Sequence, residues 1–350
     1  MLSMPASRNQ TEWCFAGAAE SQRFKLSATQ HDAGIPSFGG CASILPPPPG
    51  LTKGVLMPQE SLASATNGQA QTATPELNLW IVEQAQLGHS APVILQSMID
   101  AGWQEPVAAL ALEAALQTHL ENAAIDQGLP PSVPVPSPAL HHSPTVIDVG
   151  DRMVDVLLAM AQPRVVVFGN LLSDAECEAL MADAAPRMKR SLTVETATGG
   201  EEVNADRTSD GMFFTRGETE TVKVLEARIA RLLRWPLENG EGLQILHYQP
   251  GAEYKPHYDY FDPAHSGTSR ILRRGGQRVG TLIVYLNQPE CGGGTVFPDI
   301  HLEVGPKRGN AVFFSYERPD PSTRSLHGGL PVTRGDKWIA TKWLREREFV

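Results

Sequence analysis

From Gly242 onward the chain becomes a succession of short β-forming runs cut by glycine and proline, and this pattern constrains the fold most. The runs are Leu243–Tyr248, Lys255–Tyr260, Thr281–Leu286, Thr295–Phe297, Asn310–Ser315 and Trp338–Leu344. Between them fall Pro250–Gly251, Gly292–Gly294, Gly305–Pro306 and Gly328–Gly329. Many short strands separated by turns predict a sandwich or barrel of the jelly-roll kind. Helical patterns precede them, so the expected class is α+β, with helices packed on one face.

Upstream, residues 1–75 read as a disordered tail. Pro, Ser, Ala, Gly, Thr and Gln dominate, PPPP occupies Pro46–Pro49, and no period persists. An alternative is that translation starts later, for instance at Met57. Residues 76–127 predict a small helical module. Leu79, Val82, Ala85 and Leu87 mark one stripe ended by Gly88; Ala91–Ala101 is a second helix stopped by Gly102; Glu105–Ala124 is a third. The module reads as a partner platform or as a packing unit. Residues 128–144 are a Pro-rich linker, extended because proline excludes helix interiors; His141 and His142 read there as a solvated pair rather than metal ligands.

The main domain is expected over 145–350. Asp148–Ala161 fits a helix, Arg164–Phe168 a strand, and Ser173 with Glu176 forms a capping box for a helix at Ala175–Ala185. Arg190–Glu195 reads as a strand before the turn at Gly199–Gly200, and Arg207–Phe214 as an extended piece. Thr219–Leu233 carries a helical stripe at Val222, Leu225, Ile229 and Leu232.

With 41% hydrophobic residues the chain can bury a sizeable core. A net charge of −10 lacks the basic footprint that nucleic-acid binding requires. No apolar run is long enough to span a membrane, and no signal peptide opens the chain. A cytoplasmic location is the expectation, with the oligomeric state open. The four cysteines (Cys14, Cys41, Cys177, Cys291) form no metal-like spacing and read as free thiols.

The chemistry concentrates at His257-Tyr258-Asp259. In a strand, residues i and i+2 face the same way, so HxD places an imidazole beside a carboxylate. A further histidine would complete a 2-His-1-carboxylate set, which leaves metal positions open and suits non-haem Fe(II) oxygen chemistry. Among ten histidines one HxD arises easily by chance, so the third ligand must be argued separately. His327 lies in SLHGG, whose glycines allow close backbone approach. Lys337 opens KWIATKW, where alternation puts Lys337, Ile339, Thr341 and Trp343 on one face. A lysine facing inward is costly unless it meets an anion. Tyr248 reads either as a hydroxyl donor to that anion or as a packed aromatic. His265 and His301 read as non-ligands. Arg270, Arg273, Arg274 and Arg278 read as a solvated loop rather than a lid on an acidic substrate segment.

The stretch LQILHYQPGAEYKPHYDYF, followed in order by LIVYLN, GGGTVFP, VGPKRGNAVFF and SLHGGLPVTRGDKWIATKWL, resembles the prolyl 4-hydroxylase alpha-subunit-like 2-oxoglutarate/Fe(II) dioxygenases. The resemblance covers roughly 164–346. It implies a double-stranded β-helix (jelly-roll) core. It also implies that His257, Asp259 and His327 bind Fe(II), that Lys337 pairs with the distal carboxylate of 2-oxoglutarate, and that Tyr248 assists there. Thr341 and Trp343 fall in the same segment, Arg207-Thr208-Ser209 matches a segment near the substrate groove, and Tyr258 joins Arg207 as a candidate substrate contact. Ascorbate is the implied reductant, O2 the second cosubstrate, and succinate and CO2 the coproducts. The leading reading is a hydroxylase of prolyl residues in a protein or peptide. The alternatives are a hydroxylase of a free amino acid or small metabolite, and a catalytically silent scaffold. The first 144 residues do not resemble the collagen enzyme's peptide-binding domain.

Overall fold

The computed structural model describes Pro48, residues 71–191, 193–194, 201–202 and 206–350. The expected tail over 1–75 and the turn at Gly199–Gly200 therefore lie almost wholly outside the described residues. The helices are α1 (Pro75–Gln86), α2 (Ala91–Asp100), α3 (Glu105–Asp126), α4 (Asp174–Ala184), α5 (Glu220–Leu233) and α6 (Thr268–Ile271). The strands up to the first site histidine are β1 (Val146–Asp148), β2 (Met153–Met160), β3 (Arg164–Gly169), β4 (Lys189–Arg190), β5 (Thr193–Val194), β6 (Glu201–Glu202), β7 (Asp210–Phe214), β8 (Leu243–Tyr248) and β9 (Tyr254–His257). They continue with β10 (Arg278–Tyr285), β11 (Cys291–Gly292), β12 (Thr295–Phe297), β13 (Leu302–Val304), β14 (Ala311–Ser315), β15 (His327–Gly329), β16 (Val332–Arg334) and β17 (Lys337–Arg345).

Two antiparallel sheets make the jelly-roll core. The larger has the order β1-β2-β3-β14-β10-β17-β8-β7-β4, and the smaller the order β13-β12-β15-β9. Period-two alternation sorts the central strands into two cores. Leu282 and Val284 of β10, Ala311 and Phe313 of β14, and Leu243 and Ile245 of β8 pack outward with the stripes of α4 and α5. Ile283, Tyr285, Val312, Phe314, Leu246 and Tyr248 face the other way, towards the smaller sheet. Helices α1–α3 hold a third cluster built on Leu77, Trp80, Ile81, Ile94, Met98 and Trp103. No helix among the described residues is long and apolar enough to cross a membrane.

The α5 stripe and the capping box form as expected. Ser173 accepts from the Glu176 amide, and the Glu176 carboxylate accepts from the Ser173 amide at 2.7 Å. The same carboxylate receives Arg228 of α5 at 2.6 Å. Burial opposes its charge, but Arg228 and Ser173 hold the Glu176 carboxyl down at about 2.

Several expectations are corrected. Asp148–Ala161 is not a helix but a hairpin, β1 to β2. Gly150, at φ +102°, makes the turn that Val149 closes by donating to Arg152 O at 3.0 Å. Val154 and Val156 face one core and Leu158 and Met160 the other, with a bulge between Val156 and Leu158, and pairing with β3 overrides the helical signal. The α1 helix exists, but its buried face is Leu77, Trp80, Ile81 and Gln84, while Leu79 and Leu87 are exposed. The larger aromatic and branched side chains at i, i+3 and i+4 spacing win the core. The strand expected over Arg190–Glu195 is two short pieces, β4 and β5. The Pro-rich segment is extended as expected but pinned: Arg318 donates to Pro130 O at 2.9 Å, Val133 N to Glu317 O at 2.8 Å and Ser137 N to Leu233 O at 3.0 Å.

Candidate metal and cosubstrate site

The strand run expected over Lys255–Tyr260 stops at His257, and this end shapes the site. Asp259 sits in a bend beyond the strand, so simple strand alternation does not place it. The chain's turn there still sets Asp259 Oδ1 3.6 Å from His257 Nε2. β15 pairs with β9 so that His327 lies opposite His257. His327 Nε2 then falls 3.5 Å from Asp259 Oδ2. The ligand-type atoms of the three residues lie within 4.8 Å of one another. Gly328 permits this approach: a Cβ there would stand 2.9 Å from Tyr254 O and 3.0 Å from Pro256 N.

The protonation states follow from the partners. His257 Nδ1 lies 2.8 Å from Lys255 O, and His327 Nδ1 lies 3.1 Å from Ser325 O. A carbonyl only accepts, so each Nδ1 carries a proton and Nε2 is the nitrogen turned towards Asp259. Burial pushes His327 down to about 4, against the pull of Asp259. Burial also opposes the charge on Asp259, yet His327, His257 and Arg278 hold its carboxyl well below the usual range. Two imidazole Nε2 atoms and one carboxylate converging in a buried spot are a donor set that fits a divalent cation.

These residues line a cleft together with Lys337, and Tyr248, Thr341, Trp343, Ile339 and Arg207 are also on its wall. The expected inward face of β17 is thus the observed one. Lys337 is 2% exposed, and its Nζ lies 5.3 Å from the Tyr248 ring centre and 5.9 Å from that of Tyr285. Among the described residues no carboxylate lies within salt-bridge distance of it. Burial alone pushes its pKa down to about 8. It is a buried cation awaiting an anion.

Arg207 is buried rather than presented to solvent. It donates to Gln244 Oε1 at 2.9 Å and lies over the Tyr254 ring at 4.9 Å. Tyr258 is outside the cleft lining and stacks on Tyr260 with centroids 4.8 Å apart. His265 and His301 are exposed and outside the three-residue group. The basic loop is not uniform: Arg270, Arg273 and Arg274 are exposed, but Arg278 is buried. It makes two bonds to Glu241, at 2.7 and 3.0 Å, and lies 4.0 Å from the centre of the Trp343 ring. Arg345 reaches the same carboxylate at 2.7 Å. Cys177 is buried, its thiol pushed up to about 11 by burial, and Cys291 is exposed; both are free.

Sequence reasoning missed Tyr254, Thr281 and Thr295 on the wall. Tyr254 stacks on His257 with centroids 3.7 Å apart. They are three positions apart, so ideal alternation would put them on opposite faces. The register irregularity opposite His327–Gly329 adds a residue on β9 and flips the parity. Thr281 was hidden because β10 is buried on both faces and reads as a uniform apolar run.

A jelly-roll holding a His-Asp-His group beside an unpaired lysine defines an iron- and oxoacid-dependent oxygenase class. Residues 243–345 match the 2OG-Fe(II) oxygenase superfamily. Prolyl 4-hydroxylase 5 of Arabidopsis thaliana is 42% identical over 221 residues, 57% of this chain and 74% of that one. Prolyl 4-hydroxylase 1 of the same plant is 40% identical over 202 residues, 53% of this chain and 70% of that one. The viral collagen prolyl hydroxylase from Paramecium Bursaria Chlorella virus-1, solved as its 2OG complex, superposes with a TM-score of 0.40 and 31% identity, covering 52% of this chain and 95% of that one. The chain belongs to the prolyl 4-hydroxylase family within the 2OG-Fe(II) oxygenases.

Proposed function

We propose that the chain is a prolyl 4-hydroxylase, which inserts oxygen into a C–H bond of prolyl residues in a protein or peptide, with succinate and CO2 as coproducts. The observation that carries this reading is the shared cleft, lined both by the three-residue donor group and by Lys337, which has no carboxylate partner among the described residues. In this reading His257, Asp259 and His327 hold Fe(II). Bound iron, with 2-oxoglutarate, supplies the activation of O2 that the protein's own groups lack.

The remaining work falls to the chain. Lys337 meets the distal carboxylate of 2-oxoglutarate in a dry pocket, where a charge pair counts for more than in water. Tyr248 offers its hydroxyl to the same group. Thr341 and Trp343 shape the wall, and buried Arg278 behind Trp343 fixes the ring's tilt. Arg207 and Tyr254 brace the outer side of His257, and the prolyl substrate enters past them. Tyr258, outside the cleft lining, is assigned no substrate contact. Ascorbate serves as the reductant that keeps the iron ferrous.

The test is 2-oxoglutarate consumption by the full chain with Fe(II) and ascorbate, compared with His327→Ala. The variant is expected to consume none above background. An unchanged rate would sink the ligand set.

A further inference from the structure

The donor group does not end at Asp259. Thr281 of β10 donates to Asp259 Oδ2 at 2.7 Å, and its hydroxyl oxygen lies 2.9 Å from Tyr316 OH. All three side chains are buried, with Thr281 at 0% and Tyr316 at 1% exposure. A threonine hydroxyl has one proton. Asp259 is a carboxylate and can only accept, so that proton points at Oδ2. The Tyr316 proton must then point at Thr281. The direction of the chain is fixed: Tyr316 to Thr281 to Asp259.

The strands hold it there. Thr281 pairs with Phe314 on one side and Trp343 on the other, in the middle of the larger sheet. Tyr316 follows β14, and its amide donates to Val279 O at 3.2 Å. Asp259, by contrast, lies in a bend past the end of β9, where no ladder bond fixes its carboxylate. The larger sheet thus orients a carboxylate that lies beyond the ladder of the smaller one.

We propose that Thr281 and Tyr316 are positioning residues that fix the orientation of the Asp259 carboxylate within the donor group, through the bond to Oδ2. This rests on the reading of Asp259 as a metal ligand. A carboxylate freed to turn would no longer present a fixed oxygen to a cation held with His257 and His327. The pair would therefore act on metal affinity without touching the metal. Removing a partner that orients a metal ligand typically costs about 10–100-fold in affinity.

The test uses the full chain loaded with Co(II), whose absorption spectrum reports coordination number. Thr281→Val keeps the β-branched shape and deletes the hydroxyl. It is expected to weaken Co(II) binding about 10–100-fold and to change the spectrum. Thr281→Ser, which keeps the hydroxyl, is expected to restore most of that affinity. Tyr316→Phe, which leaves the bond to Asp259 in place, is expected to give a smaller rise in Kd, and it carries the test if the valine variant does not fold. A loss of melting temperature with parent-like Co(II) affinity and spectrum in both variants would overturn the positioning role. Asp259→Ala separates the two claims. Parent-like Co(II) binding there overturns the ligand set and this inference together. Loss there, with parent-like Thr281→Val, overturns only the inference.

Discussion

Lys337→Met should move stability and cosubstrate binding in opposite directions. The buried ammonium titrates at about 8 instead of its ordinary 10.5, and burial is the cause. At about 1.4 kcal/mol per pH unit, the ligand-free fold carries a cost of about 3 kcal/mol at pH 7. The sign follows from which state binds the proton first. As pH falls from 10.5 to about 8, the unfolded chain protonates this lysine and the folded chain resists, so stability is lost across that window and stays lost below it. A thioether of similar length removes the cost. In a domain of this size, about 3 kcal/mol corresponds to a rise in Tm of roughly 5–10 °C at pH 7. The gain should shrink to less than about half by pH 9.5. With 2-oxoglutarate present the sign reverses, because the variant loses the partner of a buried carboxylate, a loss of about 2–5 kcal/mol. The apparent KM for 2-oxoglutarate should rise at least about 30-fold, with little change in that for the peptide. Differential scanning fluorimetry at two pH values and steady-state kinetics read both. A ligand-free Lys337→Met chain less stable than the parent at pH 7, or equal rises in both KM values, would refute the reasoning.

Other outcomes follow from the same geometry. Glu241→Gln strips the carboxylate that holds buried Arg278 and Arg345; urea unfolding should show a loss of about 3–5 kcal/mol. Gly328→Ala puts a methyl 2.9 Å from Tyr254 O, a backbone atom that cannot swing aside; the separated β9 and β15 should bind Mn(II) at least about tenfold more weakly by calorimetry. Ser173→Ala removes the cap of α4 and should cost about 1 kcal/mol in urea, without altering KM.

Much of the site was legible because its residues sit where period two is kept. On β17, Lys337, Ile339, Thr341 and Trp343 alternate as read and all line the cleft. The glycine beside His327 also announced a close approach that the backbone makes. Legibility failed where one residue breaks the period: the extra residue on β9 brings Tyr254 beside His257, and the bulge in β2 disguised a strand as a helix. It failed again where burial on both faces erases alternation, which concealed Thr281 on β10. Arg278 was misread because its partner, Glu241, lies 37 residues away in sequence and only the fold joins them.

The proposed activity is hydroxylation of prolyl residues in this cleft. Mass spectrometry of a proline-containing peptide, incubated with the full chain, Fe(II), 2-oxoglutarate and ascorbate, tests it most directly. The expected result is one added oxygen atom on proline, matched by an equal yield of succinate and absent with His327→Ala. Oxygen placed on another residue type, or succinate formed only with a free metabolite as acceptor, would contradict it.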